Sequence, residues 1–240
     1  MISVAIIVKN GSQTLAKCLE SIKDLSDDIV VIIDKNTTDN TAEIAKIFNS
    51  RIYSREFDNF ASQKNFAVSK TAHDWVFSLD ADEYSNPNLN SEILKAITNP
   101  QFVGYKIPRL NIIFGKAIHH TNWGPKDDTH VWLFNKKYGT WLGSVHEEVV
   151  CQGETGLLSN YKYHDNYRTV EEFITKMNLY TAQEAKTGRL YSNPLYDFIR
   201  RYFWHLGFLD GWHGLFLSYL MFIYHLTIWV KKICLPSFSS

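Results

Sequence analysis

Several features that would fix a protein's class at once are missing from this sequence. Its 240 residues hold three cysteines, Cys18, Cys151 and Cys234. They are too few and too scattered for a disulfide framework or a C-x-x-C zinc site, so a reducing compartment is expected. Net charge is absent, since 25 Lys and Arg stand against 25 Asp and Glu. That argues against a nucleic-acid protein that relies on a global positive field, and no nucleic-acid partner is expected. Neither G-x-x-x-x-G-K-[ST] nor G-x-G-x-x-G occurs, which removes the main support for a P-loop NTPase or a dinucleotide dehydrogenase. Met1 runs straight into Ile2–Val8 with no basic n-region and no small-residue cleavage site, so no cleavable leader is expected.

What is present is a chain able to build a core. Hydrophobic residues make up 45% and charged residues 21%, and the length suits one large α/β domain. Ile2–Val8 and Asp28–Asp34 are β-branched runs that read as buried strands; Arg51–Ser54 and Trp75–Leu79 read as two more. Between them, amphipathic stretches predict helices from a Ser12 cap to Lys23, over Thr38–Asn49 and over Asn59–Lys70. This alternation predicts an α/β fold, a mostly parallel central sheet flanked by helices. Further on, Tyr105–Arg109, Val131–Phe134 and Val145–Val150 are candidate strands, and Glu171–Lys186 has helical spacing. A division into 1–190 and a C-terminal segment 191–240 is expected.

In an open α/β sheet, ligands bind beyond the carboxyl ends of the strands. Acidic groups fall there: Asp34 after the second strand, then Asp80 and Asp82 after the fourth. An Asp-x-Asp leaving a strand can turn both carboxylates to one site, and hard oxygen donors suit Mg²⁺ or Mn²⁺ completed by phosphate oxygens and water.

Val8-Lys9-Asn10, Asp34-x-x-x-Thr38-Asp39-x-Thr41 and Leu79-Asp80-Ala81-Asp82-Glu83, in that order, resemble the inverting family-two glycosyltransferases of the GT-A fold. Arg109-x-Asn111, Gly115, His119-x-x-x-Trp123-x-Pro125, Gly143-x-Val145-His146-Glu147 and Gly207-Phe208-Leu209-Asp210-Gly211 are similar to segments of the lipopolysaccharide-core heptose β-1,4-glucosyltransferases. The resemblance covers nearly the whole chain. It implies that Val8, Lys9, Asn10 and Asp34 hold the uridine of a UDP-sugar, that Asp80 sits against ribose and sugar, and that Asp82, with Asp80, ligates the metal. It also implies that Lys64 approaches the nucleotide, and that His146-Glu147 supplies the base that takes the acceptor proton, with His146 orienting a phosphate or the metal. Glu148 rivals Glu147, because strand neighbours face opposite ways and only one can face the site. Asp127 and Asp128 are further base candidates. Arg109, Trp123 and Trp132 are the acceptor-binding candidates. Two departures stand out: Trp132 replaces the arginine that relatives carry before Leu-Phe, offering stacking instead of a charge, and Asp34-Lys35 replaces Asp-Ser.

The tail is a different material. Thirteen of the 7 Trp, 13 Tyr and 15 Phe lie within Leu195–Ser240. Leu215–Val230 has no Asp, Glu, Lys or Arg over 16 residues, short of the about 20 that a spanning helix needs. Arg200-Arg201 precede it and Lys231-Lys232 follow, a flanking that suits an interfacial anchor, as a helical hairpin about Gly207–Gly214. Together these readings predict a metal-dependent hexosyltransferase. Its expected donor is UDP-glucose, and its acceptor a glycolipid, an inner-core sugar of lipopolysaccharide or lipooligosaccharide. Its expected place is the cytoplasmic face of the bacterial inner membrane. The alternatives are another surface glycan or a polyprenyl-phosphate acceptor, or a non-catalytic sugar-nucleotide-binding module. A nucleotidyltransferase finds little support in Val8-Lys9-Asn10-Gly11.

Overall fold

The computed structural model describes residues 1–143, 147–186 and 193–234. The chain divides into two compact units, Met1–Arg109 with Thr129–His164, and Leu110–Asp128 with Asp165–Ser240. The first unit runs β1 (Ile2–Val8), α1 (Leu15–Ile22), β2 (Asp28–Asp34), α2 (Thr41–Ile47), β3 (Arg51–Arg55), α3 (Phe60–Lys70), β4 (Trp75–Asp80), β5 (Glu83–Tyr84), α4 (Pro87–Thr98) and the start of β6 (Gly104–Ile113). After β7 (Lys116–Ala117) in the second unit come β8 (Thr129–Asn135), β9 (Gly139–Leu142), β10 (Glu148–Cys151), β11 (Thr155–Leu157) and the start of β12 (Lys162–Tyr167). The second unit continues with α5 (Val170–Glu184), α6 (Pro194–Ile199), a π-helical turn over Arg200–Trp204, a 3-10 turn over Gly207–Asp210 and α7 (Trp212–Cys234).

In the first unit the strand order β3-β2-β1-β4 is parallel, and β8 and β6 extend it antiparallel. The parallel part follows from its sequence: β1 and β2 are apolar almost throughout and covered on both faces, as central parallel strands must be. Leu15, Cys18, Leu19 and Ile22 of α1 are all buried, one face of a helix closing on the sheet. Chain order departs outward from β1 in both directions, to β2 on one side and β4 on the other, which makes the carboxyl edge of β1 a topological switch point. The pairings Val8 with Ile33 and Ile7 with Asp80 bring the ends of β2, β1 and β4 level.

Local side chains set the element boundaries. Asn59, expected as the first helical residue, instead caps α3 by accepting from the Ser62 N–H, and the helix starts at Phe60. Ser12 does not cap α1: its N–H donates to Asp39 at 2.9 Å, and the helix starts at Leu15. Asp39 likewise accepts from the Thr41 N–H, so α2 begins at Thr41 and not at Thr38.

The second unit gathers residues 110–128 and 165–186 with the tail, so it does not divide at 190. The reason lies in its contacts. The Asp210 carboxylate accepts from the His119 and His120 N–H groups at 3.2 and 2.9 Å, Lys116 donates to the Asp210 carbonyl, and Arg201 donates to the Thr121 carbonyl. The Gly-Phe-Leu-Asp-Gly segment is therefore a structural clasp. Gly214 meets Gly207 so closely that a Cβ there would lie 1.8 Å from the Gly207 carbonyl oxygen. The chain folds back at this elbow, and His225 of α7 reaches Asp197 of α6 at 3.4 Å. At 23 residues, α7 is longer than the 16-residue apolar run, and it is long and apolar enough to cross a membrane.

Candidate active site

Two loops meet at the carboxyl edge of the first unit. The Asn10 side-chain carbonyl accepts from the Thr38 N–H at 2.8 Å, and the Gly11 N–H donates to the Thr41 hydroxyl. Together with the Asp39 bonds, these latch the loop after β1 to the loop after β2. Asn10 takes a left-handed φ of 51° to do so. Asp34 is nearly buried, accepts from the Asn36 N–H, and lies 3.7 Å from the Lys9 ammonium. Val8, Lys9, Asn10 and Asp34 therefore share one small region.

Across β1, Asp80 ends β4. Its carboxylate lies 3.1 Å from the Lys64 ammonium, which also donates to Glu147 at 3.0 Å. Lys64 projects from α3, is almost fully buried, and lies 4.5 Å from the centre of the Trp141 ring. Burial pulls this ammonium down, but Asp80, Glu147 and Glu83 outweigh it and hold it above its ordinary value. Lys64 therefore links the Asp80 carboxylate to that of Glu147, a contact the sequence did not suggest. Glu147 is 17% exposed and faces this cluster, whereas Glu148 is 66% exposed and lies 3.5 Å from His130. His146 lies outside the described residues.

Beneath this edge is a buried charge network. Glu83 and Lys162 are both 0% exposed and 2.5 Å apart; Arg109 joins Glu83 at 3.1 Å, and Glu83 also accepts from the Asp80 N–H at 2.9 Å. The cations Lys162 and Arg109 outweigh desolvation and hold the Glu83 carboxylate well below its ordinary value, while burial pulls the Lys162 ammonium down. Trp132 is 5% exposed, with Lys162 3.3 Å and Arg109 5.4 Å from its ring centre. Trp132 and Arg109 are thus committed to the network, and Trp132 offers no open stacking face for an acceptor. Trp123, Asp127 and Asp128 belong to the second unit. There Trp123 packs edge-on against Tyr167, Asp128 accepts from Asn111 at 2.9 Å, and Asp127 lies 3.5 Å from His205.

Asp82 is 35% exposed at the side chain, 3.5 Å from the His164 imidazole. Among the described residues no cluster of three His, Cys, Asp or Glu groups is placed to hold a metal. The donors at hand, one open carboxylate with an imidazole beside it, fit a hard divalent ion that takes most of its shell from phosphate and water, and do not fit an all-protein cage. Asp80, engaged by Lys64, is less suited to ligation than Asp82.

Lys162, His164 and Trp141 are not among the residues the sequence singles out, and Glu83 enters there only as the end of the Leu79–Glu83 run. The one available signal was alternation in Lys162–Tyr167, which puts Lys162 and His164 on one face of a strand.

The family model for glycosyl transferase family 2 matches residues 3–156, and the chain belongs to that family. An uncharacterized glycosyltransferase of Rickettsia prowazekii (strain Madrid E) is 27% identical, over 93% of this chain and 83% of that protein. The lipopolysaccharide core biosynthesis glycosyltransferase LpsC of Rhizobium meliloti (strain 1021) is 26% identical, over 91% of this chain and 89% of that protein. Among solved structures, S. aureus TarS superposes with a TM-score of 0.51 at 15% identity, covering 88% of this chain and 44% of that one. A shorter TarS chain, solved in complex with UDP, gives 0.50 at 16% identity, covering 88% and 72%. This chain thus spans less than half of the longer TarS chain. The likeness to TarS is one of fold, the GT-A arrangement of a mixed sheet with flanking helices.

Proposed function

We propose that this chain is an inverting transferase that moves glucose from UDP-glucose to an inner-core sugar of a bacterial lipopolysaccharide or lipooligosaccharide. It works at the cytoplasmic face of the inner membrane, on a glycolipid acceptor. The observation that carries the reading is the sharing of one carboxyl edge by Asp34, Asp80 and Glu147, with Lys64 between the last two, in a family-2 chain. The acceptor class rests on the similarity to LpsC.

In this reading Val8, Lys9, Asn10 and Asp34 hold the uridine, and Asp80 faces the ribose and sugar. Glu147 accepts the proton of the acceptor hydroxyl as its oxygen attacks the anomeric carbon from the side opposite UDP. Lys64, bonded to both Asp80 and Glu147, fixes the base relative to the donor carboxylate. Asp82, with His164 beside it, would hold Mg²⁺ or Mn²⁺, which when bound offsets charge on the departing diphosphate. Glu83, Lys162, Arg109 and Trp132 support the edge from beneath.

The test is UDP release by purified protein with Mg²⁺ or Mn²⁺, comparing UDP-glucose, UDP-galactose and UDP-N-acetylhexosamines, with and without truncated lipooligosaccharide. Acceptor-stimulated release from UDP-glucose is expected. Stimulation only by a polyprenyl phosphate or another surface glycan would move the acceptor. UDP binding without turnover on any acceptor would leave a binding module.

A further inference from the structure

In the second unit, α7 has two unlike sides. Trp212, Phe216, Tyr219, Leu226, Val230 and Ile233 are exposed, from 42% at Leu226 to 83% at Ile233. Their spacing, filled in by the half-buried Ile223, alternates fours and threes, so they form one stripe along the helix. At 23 residues the helix is about 34 Å long. The elbow before it continues the apolar surface with Phe203, Trp204, Phe208 and Leu209, all exposed.

The reverse side packs into its own unit, where Leu217 is buried with Phe173 and Met177 of α5, and it is also tied to α5 by polar bonds. The Tyr224 hydroxyl donates to Glu184 at 2.8 Å, and Lys231 donates to the Asn178 side chain and carbonyl at 2.6 and 2.8 Å and to Thr181 at 2.9 Å. The second half of α7 therefore runs antiparallel along α5, which carries Glu171, Glu172, Lys176 and Glu184. A spanning helix must be apolar to lipid all round or share the bilayer with other spanning elements. Drawing α7 across a membrane would either break these bonds or carry the charges of α5 into hydrocarbon at a cost of several kcal/mol. A helix whose outer stripe is apolar and whose other side is packed against the rest of its own unit satisfies both surroundings when it lies along the interface.

Charge selects the surface. The two acids of this segment, Asp197 and Asp210, are 1% and 3% exposed. Asp197 is paired with Arg200 and Arg201, and Asp210 accepts two backbone N–H groups. The excess charge of the segment is basic, from Lys231 and Lys232, which complements anionic headgroups. The stripe and the elbow are rich in Trp, Phe and Tyr, the residue types that settle at the headgroup boundary. We propose that α7 lies in the plane of an anionic lipid surface, and not across it, with the Trp212–Ile233 stripe and the Phe203–Leu209 elbow at the acyl boundary. This rests on the membrane-face reading above and fixes its geometry.

The test uses the full chain and two readouts, both independent of sugar transfer. The first is flotation with phosphatidylcholine vesicles, with and without phosphatidylglycerol. Binding to the anionic vesicles is expected, weakened by salt, and reduced about tenfold or more by Phe216→Glu or, separately, by Val230→Glu. Both substitutions fall on exposed positions, so circular dichroism should stay that of the wild type. The second is labelling of Cys234, which is exposed, by an impermeant maleimide in a Cys151→Ser background; Cys18 is buried. In inside-out membrane vesicles Cys234 should react without detergent. Protection of Cys234 until detergent is added would mean a spanning helix and overturn the proposal. Absence of vesicle binding, with a dimer that Phe216→Glu dissociates, would assign the stripe to a second copy and overturn it too. Loss of UDP release with lipid binding intact would instead count against the transferase reading.

Discussion

Glu83→Gln is the perturbation whose cost can be worked most closely. The carboxylate is 0% exposed, and so is its partner Lys162 at 2.5 Å. Once Glu83 is neutral, Lys162 either stays charged in a dry site or loses its proton. Breaking a buried pair from one side costs about 3–5 kcal/mol. For a domain of this size about 1 kcal/mol moves the midpoint by roughly 2–4 °C, so unfolding should come on the order of 10 °C earlier. The double variant Glu83→Gln/Lys162→Met should recover at least half of the loss, because no buried ammonium is left without a counter-charge. The assay is thermal unfolding followed by circular dichroism. A midpoint within about 2 °C of wild type for Glu83→Gln, or a double variant less stable than the single, would refute the reasoning.

Three further outcomes follow from the same geometry. Asp82→Ala should abolish transfer and leave the unfolding midpoint near that of wild type; near-wild-type turnover with Mn²⁺ would remove Asp82 from the donor site. Lys64→Met should lower kcat more than it changes the donor KM, with partial rescue in Lys64→Arg, because the ammonium joins Asp80 to Glu147 at 3.1 and 3.0 Å; a change in KM alone would make Lys64 a nucleotide contact only. Stability should fall with acid. The Thr41 hydroxyl and the Ser12 N–H outweigh desolvation and hold Asp39 at about 2, and Ser3, Ala72 and Arg51 likewise hold Asp28 low. Below about pH 4 the unfolded chain therefore binds protons that the folded chain refuses, and chemical denaturation midpoints should drop there while changing little between about pH 5 and pH 7.

The legible parts of the molecule were those governed by local pattern. Ile2–Val8 and Asp28–Asp34 appear in the structure with the bounds the sequence suggests, because runs of β-branched residues admit little besides a buried strand. The acidic strand ends were legible for the same reason, since a strand that is found also places its last residue. By contrast, α4 was missed. Its first turn, Pro87-Asn88-Leu89-Asn90, reads as a loop until the Asn86 cap is recognised. The network beneath the site was invisible because Glu83 and Lys162 are 79 residues apart, and each alone reads as a solvated charge. Lys64 pointed to the right edge but not to its partners, because Glu147 lies 83 residues further on. In the tail, composition gave the helix and its basic flank. The polar bonds to α5 that bear on its orientation depend on tertiary contacts.

The central claim is that Glu147, and not its neighbour Glu148, takes the acceptor proton at a UDP-hexose site. The measurement that bears on it most directly is acceptor-dependent UDP release from UDP-glucose by Glu147→Gln and Glu148→Gln side by side. The account predicts that Glu147→Gln lowers kcat by about 10²–10⁴-fold, with the donor KM little changed, while Glu148→Gln turns over like wild type. The reverse pattern, or full activity in both variants, would contradict it.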